Sequence, residues 1–267
     1  MITKLRKLSK AILEVFGARP HELGLSTSSA VIGGIITEVV IEKVEDIGVL
    51  IGLMVKIGLQ EVLDKHIPKH WKQRDLSWGW TIVIWLAYVI RCGDHRKLSM
   101  ESYVAEMQNT LSEITGQEIN PKDFADDRLG KALQYLSKKY WKKIEKELDE
   151  KTIKVYDLKA RIVRLDGTGV TGNHQTVPEG LIQFGHTKEG SIKPQFKIMM
   201  AGLDPLGMPL ATEVVSGEKA DDGLYIPIIK LVDENLDKKG LMYVGDCKMS
   251  AFETRAYIVD QENHYLS

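Results

Sequence analysis

The chain has 267 residues, enough for one large domain or two ordinary ones, and its 36 Lys and Arg balance 37 Asp and Glu to a formal charge of −1. That balance excludes a generally basic, nucleic-acid-coating protein, so any phosphate contact has to come from local patches. Two distant cysteines, Cys92 and Cys247, exclude a disulfide framework or a cysteine zinc site and fit a reducing cytoplasm, and no apolar run reaches the roughly 20 residues of a membrane span.

Met1–Lys10 is basic but lacks the apolar stretch and cleavage site of a signal peptide. Thr37–Glu45 alternates as a short strand. Asp46 is placed to cap a helix running through Leu63, and Pro68 closes that region. Ser77 is placed to cap an apolar helix from Trp78 to Arg91, and a shorter one starts at Ser99. Asn120-Pro121 is a helix-start signal, after which Lys122 to about Glu150 keeps helical spacing through Phe124, Leu129, Leu133, Leu136, Tyr140 and Ile144. Residues 1–150 are therefore expected to be a mainly α-helical N-terminal region.

The character changes near Lys154. Arg161–Asp166 reads as a strand, and the glycine-rich, polar stretch from Gly167 to Ser191 as a long loop. Gln195–Leu203 and Pro209–Val215 read as a hairpin around the turn Asp204–Gly207. A helix follows Asp221 and Asp222 to about Asn235. Then come a short buried strand, Leu241–Val244, a helix capped by Ser250 to about Val259, and a last strand, His264–Leu266. Three successive strands joined by loops are antiparallel neighbours, and strands that follow helices add in parallel. The expected class is α/β: a mixed sheet over 151–267 behind the helical region.

Two aspartates end strands in this order, Asp166 the first and Asp246 the fourth. Open sheets build sites where strand ends converge. Two carboxylates there repel each other unless a divalent cation joins them, and Mg2+ or Mn2+ suits a few carboxylates together with phosphate oxygens.

From Leu165 to Leu266 the chain resembles insertion-sequence DDE transposases. The matching pieces are LDGT (Leu165–Thr168), the stretch Gly185–Asp222 and YVGDCKM (Tyr243–Met249). ADDRLGKAL (Ala125–Leu133) resembles an element ahead of the core in one subgroup. The resemblance implies an RNase H-like core over residues 151–267 and a DNA-binding role for residues 1–150. It implies Asp166 and Asp246 as catalytic, metal-holding acids, and two-metal cleavage and joining of transposon-end and target DNA, with a possible homodimer on the DNA. The family's third acid is a Glu on a helix beyond the fifth strand. This chain ends at Ser267, and neither Glu253 nor Glu262 stands at that position, so the core is expected to be C-terminally truncated and the chain weak or inactive by itself.

Lys138, Lys139 and Lys142 on the long helix, Lys188, Lys193 and Lys197 around the loop, and Lys248 beside Asp246 are candidate DNA contacts; the helical lysines fit a solvated face equally well. Gly167–Gly172 matches Gly-x-Gly-x-x-Gly after a strand, but the polar run that follows offers no helix to hold a pyrophosphate. Pro68 between His66 and His70 breaks the helical spacing a metal pair needs, so both are expected to face solvent; His174 and His186 are loop histidines near Asp166. Besides a transposase, the sequence admits a non-catalytic DNA-binding remnant or regulator, or a nucleotide-dependent enzyme.

Overall fold

The computed structural model describes residues 27–32, 35–40, 42–69, 76–136, 138–187 and 190–267, with side chains from residue 42 onward except those of Lys138 and Lys139. The chain forms two compact units: Met1–Gly52 with Lys72–Lys131, and Leu53–Trp71 with Ala132–Ser267. This division differs from a boundary at residue 150. The segment 53–71 goes with the second unit because its helix packs on the long helix at 138–155, where Lys65 pairs with Glu147 and Lys151 with Glu61.

In the first unit, β1 (Thr27–Ile32) and β2 (Ile35–Val40) pair antiparallel. The strand expected at 37–45 thus overlaps β2 but stops earlier. Helix α1 (Ile47–Lys56) ends before Gly58, whose φ of 77° is left-handed, and α2 (Leu59–His66) starts afresh. The single helix expected from Asp46 to Leu63 is therefore two. Helix α3 (Trp78–Cys92) is apolar on most faces and buries Ile82, Val83, Ile84 and Ala87. The Ser77 hydroxyl accepts from Trp80 N at its start, and Gly93 closes it in the left-handed region. Ser77→Ala is expected to cost about 1 kcal/mol; an unchanged urea midpoint would show that this cap contributes nothing. Next come α4 (Ser99–Glu106), α5 (Gln108–Thr115), a 3-10 turn at Pro121–Phe124 and α6 (Asp126–Tyr135). Asn120 and Asp123 close a reciprocal capping box on that turn.

The second unit holds α2, α7 (Lys138–Val155) and six strands: β3 (Ile162–Thr171), β4 (Gln183–His186), β5 (Ile192–Leu203), β6 (Met208–Ser216), β7 (Met242–Val244) and β8 (His264–Leu266). β3, β5 and β6 form an antiparallel meander, and β7 and β8 add parallel on the other side of β3, giving the order β6-β5-β3-β7-β8 with β4 also on β5. Helix α8 (Tyr225–Leu236) joins β6 to β7, and α9 (Phe252–Asp260) joins β7 to β8. This is the α/β mixed sheet expected from the element order.

One face of the sheet carries the core. Val163, Leu165, Met199, Ala201, Leu203 and Tyr243 are buried with Leu224, Tyr225, Ile228, Ile229 and Val232 from the α8 side and Ile258 from α9. Directly paired residues share a face, so Asp166 and its partner Met200 lie on the opposite face, with Arg164.

Two local expectations are corrected. The glycine run is not loop from Gly167: β3 continues to Thr171, with Gly167 facing Met199 and Gly169 facing Lys197 on β5. A Cβ at Gly167 would stand 2.7 Å from the Met199 sulfur, and one at Gly169 2.8 Å from the Gln195 amide oxygen. These glycines let β5 side chains lie across β3, a role that composition cannot tell from flexibility. Nor does Ser250 cap α9. Its hydroxyl turns back to the Cys247 carbonyl within a 3-10 turn, and the turn is capped by Asp246.

Candidate functional site

Parallel pairing of β3 with β7 sets Arg164 beside Val244. Asp166 and Asp246 each stand two residues beyond that pair, where β3 continues but β7 has ended. At that point the chain turns away, and the Asp246 carboxylate accepts from Lys248 N at 3.0 Å as the cap of the turn Cys247–Ser250. The Tyr225 hydroxyl, at the start of α8, donates to the same oxygen, Asp246 Oδ1, at 2.6 Å. Burial pushes the Tyr225 phenol well above its usual range, helped by that hydrogen bond and by the charges of Asp246, Asp166 and Asp221. Asp246, Asp166 and Asp221 are thus the carboxylates whose charge the Tyr225 phenol feels, and of these Asp246 is the one it touches.

Asp221, just ahead of α8, is the third. Lys197 Nζ meets its Oδ1 at 2.5 Å, and Lys248 Nζ pairs with its Oδ2. Lys197 also donates to the Lys219 carbonyl at 2.6 Å. Burial works to raise the Asp221 carboxyl, but the two lysines outweigh it and hold it below the ordinary value. The sequence reading gives Asp221 and Tyr225 no part in a site. Their only signal is a spacing of four, which places them within one helical turn.

The other candidates divide. Lys193, Lys197, His186 and Thr187 line a cleft of about 240 Å³ beside Gly167–Thr171 and Asp221, and Lys248 reaches the same Asp221. Lys142 belongs to a second cleft of about 590 Å³, with Trp141, Glu145, Thr212 and Leu231. Lys188, His70 and the side chains of Lys138 and Lys139 lie outside the described residues. His174 is exposed. His66 does not face solvent as expected: its Nε2 lies 2.7 Å from Glu147 Oε2, and its side chain is 17% exposed. Gly167–Gly172 opens no helix, which removes the support a dinucleotide site needs. Glu253 is exposed on α9, and Glu262 pairs with Lys239.

Asp166 and Asp246 supply hard oxygen donors of the type that hold Mg2+ or Mn2+. The hydrogen bonds to Asp246 all fall on Oδ1, and Asp166 accepts none among the described residues. Two carboxylates fit as part of a coordination shell whose other places belong to water or phosphate. No group of three or more His, Cys, Asp or Glu arranged to hold a metal is present among the described residues. Cys92 and Cys247 are both exposed and free, and no described helix is long and apolar enough to cross a membrane.

Residues 39–149 match a family model described as a domain of unknown function, DUF4277. No curated protein matches the chain. Among solved structures, the Mos1 transposase paired-end complex with left transposon end is 11% identical, with 85% of this chain and 78% of that one covered and a TM-score of 0.29. The piggyBac transposase synaptic complex with hairpin DNA is 11% identical over 81% of this chain and 47% of that one, with a TM-score of 0.40. The Mos1 mariner paired end complex with Mn is 11% identical over 85% and 78%, with a TM-score of 0.27. Overlaps this shallow transfer no residue roles, and the site described above rests on this chain's own register.

Proposed function

We propose that this chain is a DNA transposase, or the greater part of one. In this reading it binds duplex DNA at transposon ends and, with a divalent cation, takes part in cleaving and joining phosphodiester bonds at Asp166 and Asp246. The observation that carries the reading is that β3 and β7 pair in parallel as far as Arg164–Val244, near the centre of a β6-β5-β3-β7-β8 sheet, and that Asp166 and Asp246 each follow this last pair by two residues. Asp166 and Asp246 would hold Mg2+ or Mn2+, which supplies charge stabilisation for the attacking and leaving oxygens. Tyr225 fixes Asp246, and Lys197 and Lys248 offset phosphate charge nearby. Duplex DNA, as ends and as target, is the partner, with a second copy of the chain assembled on it.

Calorimetric titration with Mn2+ tests this. Binding is expected for the wild type and at least about tenfold weaker for Asp166→Asn and for Asp246→Asn, each of which removes one charged ligand. Identical titrations for all three proteins would sink the metal site. A second reading, a non-catalytic DNA-binding protein, is favoured by the lack of a third ligand among the described residues. It predicts salt-sensitive duplex binding with no dependence on Mn2+ or on either aspartate.

A further inference from the structure

Lys197 and Lys248 reach one carboxylate from different parts of the sheet, Lys197 from β5 and Lys248 from the turn after β7. Two ammonium groups thus share a single acid, Asp221. Lys197 is held in place independently of Asp221, because it also donates to the Lys219 carbonyl and its side chain is only 14% exposed. Asp221 is more open, at 36%. The cleft beside it presents Lys193, His186 and the threonines Thr168, Thr171 and Thr187, over a strand floor where Gly167 and Gly169 carry no side chains. Ammonium and hydroxyl donors around an open floor match a tetrahedral phosphate with several acceptor oxygens better than they match a single planar carboxylate.

We propose that Asp221 is a resident stand-in for phosphate: it occupies the Lys197–Lys248 pair in the free protein, and a phosphate group entering the cleft displaces it. The site takes phosphate as a class. That the phosphate comes from a DNA strand rests on the function proposed above. Displacement makes Asp221 a brake on binding, since each incoming phosphate has to break two charge-assisted hydrogen bonds before it makes its own.

The probes are inorganic phosphate and an arbitrary duplex of about 20 base pairs, each titrated against the full chain. Asp221→Asn is expected to bind inorganic phosphate about tenfold more tightly than the wild type, in keeping with loss of a charged competitor. It is expected to bind the duplex more tightly by a similar factor and with a steeper salt dependence. Lys248→Gln, at a half-exposed position that tolerates change, is expected to weaken phosphate binding about tenfold. Unchanged or weaker phosphate binding by Asp221→Asn overturns the proposal, as does wild-type phosphate binding by Lys248→Gln should the first variant fail to fold. A gain for inorganic phosphate without a gain for the duplex upholds the site and counts against DNA as its source.

Discussion

Asp149→Asn is expected to stabilise the second unit by about 3 kcal/mol at pH 9 while changing little at pH 4. Asp149 is buried on α7, and its carboxyl is pushed up to about 8 by burial first and then by the charge of Glu145 one helical turn away. Glu145 is itself buried beneath the second cleft and raised for the same first reason, partly offset by hydrogen bonds to Thr212. Among the described residues, the side-chain partner of Asp149 that favours its charged form is the Asn235 amide, at 3.1 Å. A carboxyl raised in the folded state keeps its proton while the unfolded chain has already lost it. Folding stability therefore falls as pH climbs from about 4 towards 8 and levels off above that. Asparagine resembles the protonated acid in shape and carries no charge, so the variant escapes the fall. Its advantage grows across that window and then stays constant. Urea unfolding at pH 4, 6.5 and 9 measures this. Parallel stability profiles for the two proteins would mean that Asp149 is ionised in the fold at neutral pH and solvated by a route the burial does not reveal.

Glu145 and Asp149 also show where sequence reading stops. On the helical wheel, they continue the charged run after Lys138–Lys146 and read as a solvated face. Their burial follows from α7 lying against β6 and α8, a long-range contact that leaves no local mark. Features with a local cause were legible. Ser77 caps where its hydroxyl chemistry predicts, and the meander, the helix from Tyr225 and the last strand fall near the places where apolar spacing puts them, whereas Asn120 caps only a 3-10 turn and the helix expected from Lys122 to about Glu150 is divided into α6 and α7. The break at Gly58 is not legible, because an apolar run hides a single left-handed residue. The full length of β3 is not legible either, because glycine has no side chain with which to show alternation. For the site, Asp246 does follow a strand end, but Asp166 stands inside β3, which runs on to Thr171, and that both follow the pair Arg164–Val244 by two residues is a property of parallel register. The parts played by Tyr225 and Asp221 need the start of α8 to be laid beside β7, which no pattern in one sequence supplies.

Gly217→Ala is expected to cost about 3 kcal/mol or more, a large part of what holds a domain of this size folded. A Cβ at Gly217 would sit 2.1 Å from the Gln195 carbonyl oxygen and 2.7 Å from that of Gln183. Both are backbone atoms of the sheet, so no rotamer change relieves the clash. Across from it, a Cβ at Gly185 would lie 2.2 Å from the Gly217 oxygen. The end of β6 therefore runs against β4 and β5 at backbone distance, and the buried Gln195 stitches the three together by donating to the His186 carbonyl at 3.1 Å and to that of Gly217 at 3.3 Å. The consequence reaches the site, because this seam sets the course of the next residues. Lys219 gives Lys197 its carbonyl partner, and Asp221 gives it its ionic one. Pushing Gly217 off the sheet should move both, disturbing the partners that hold Lys197 as well as the fold. Gly223, six residues on, is the control: nothing lies within 4 Å of a Cβ there, and alanine is expected to change stability by no more than about 0.5 kcal/mol. Equal urea midpoints for Gly217→Ala and Gly223→Ala would show that the seam yields, and that the placement of Asp221 does not depend on it.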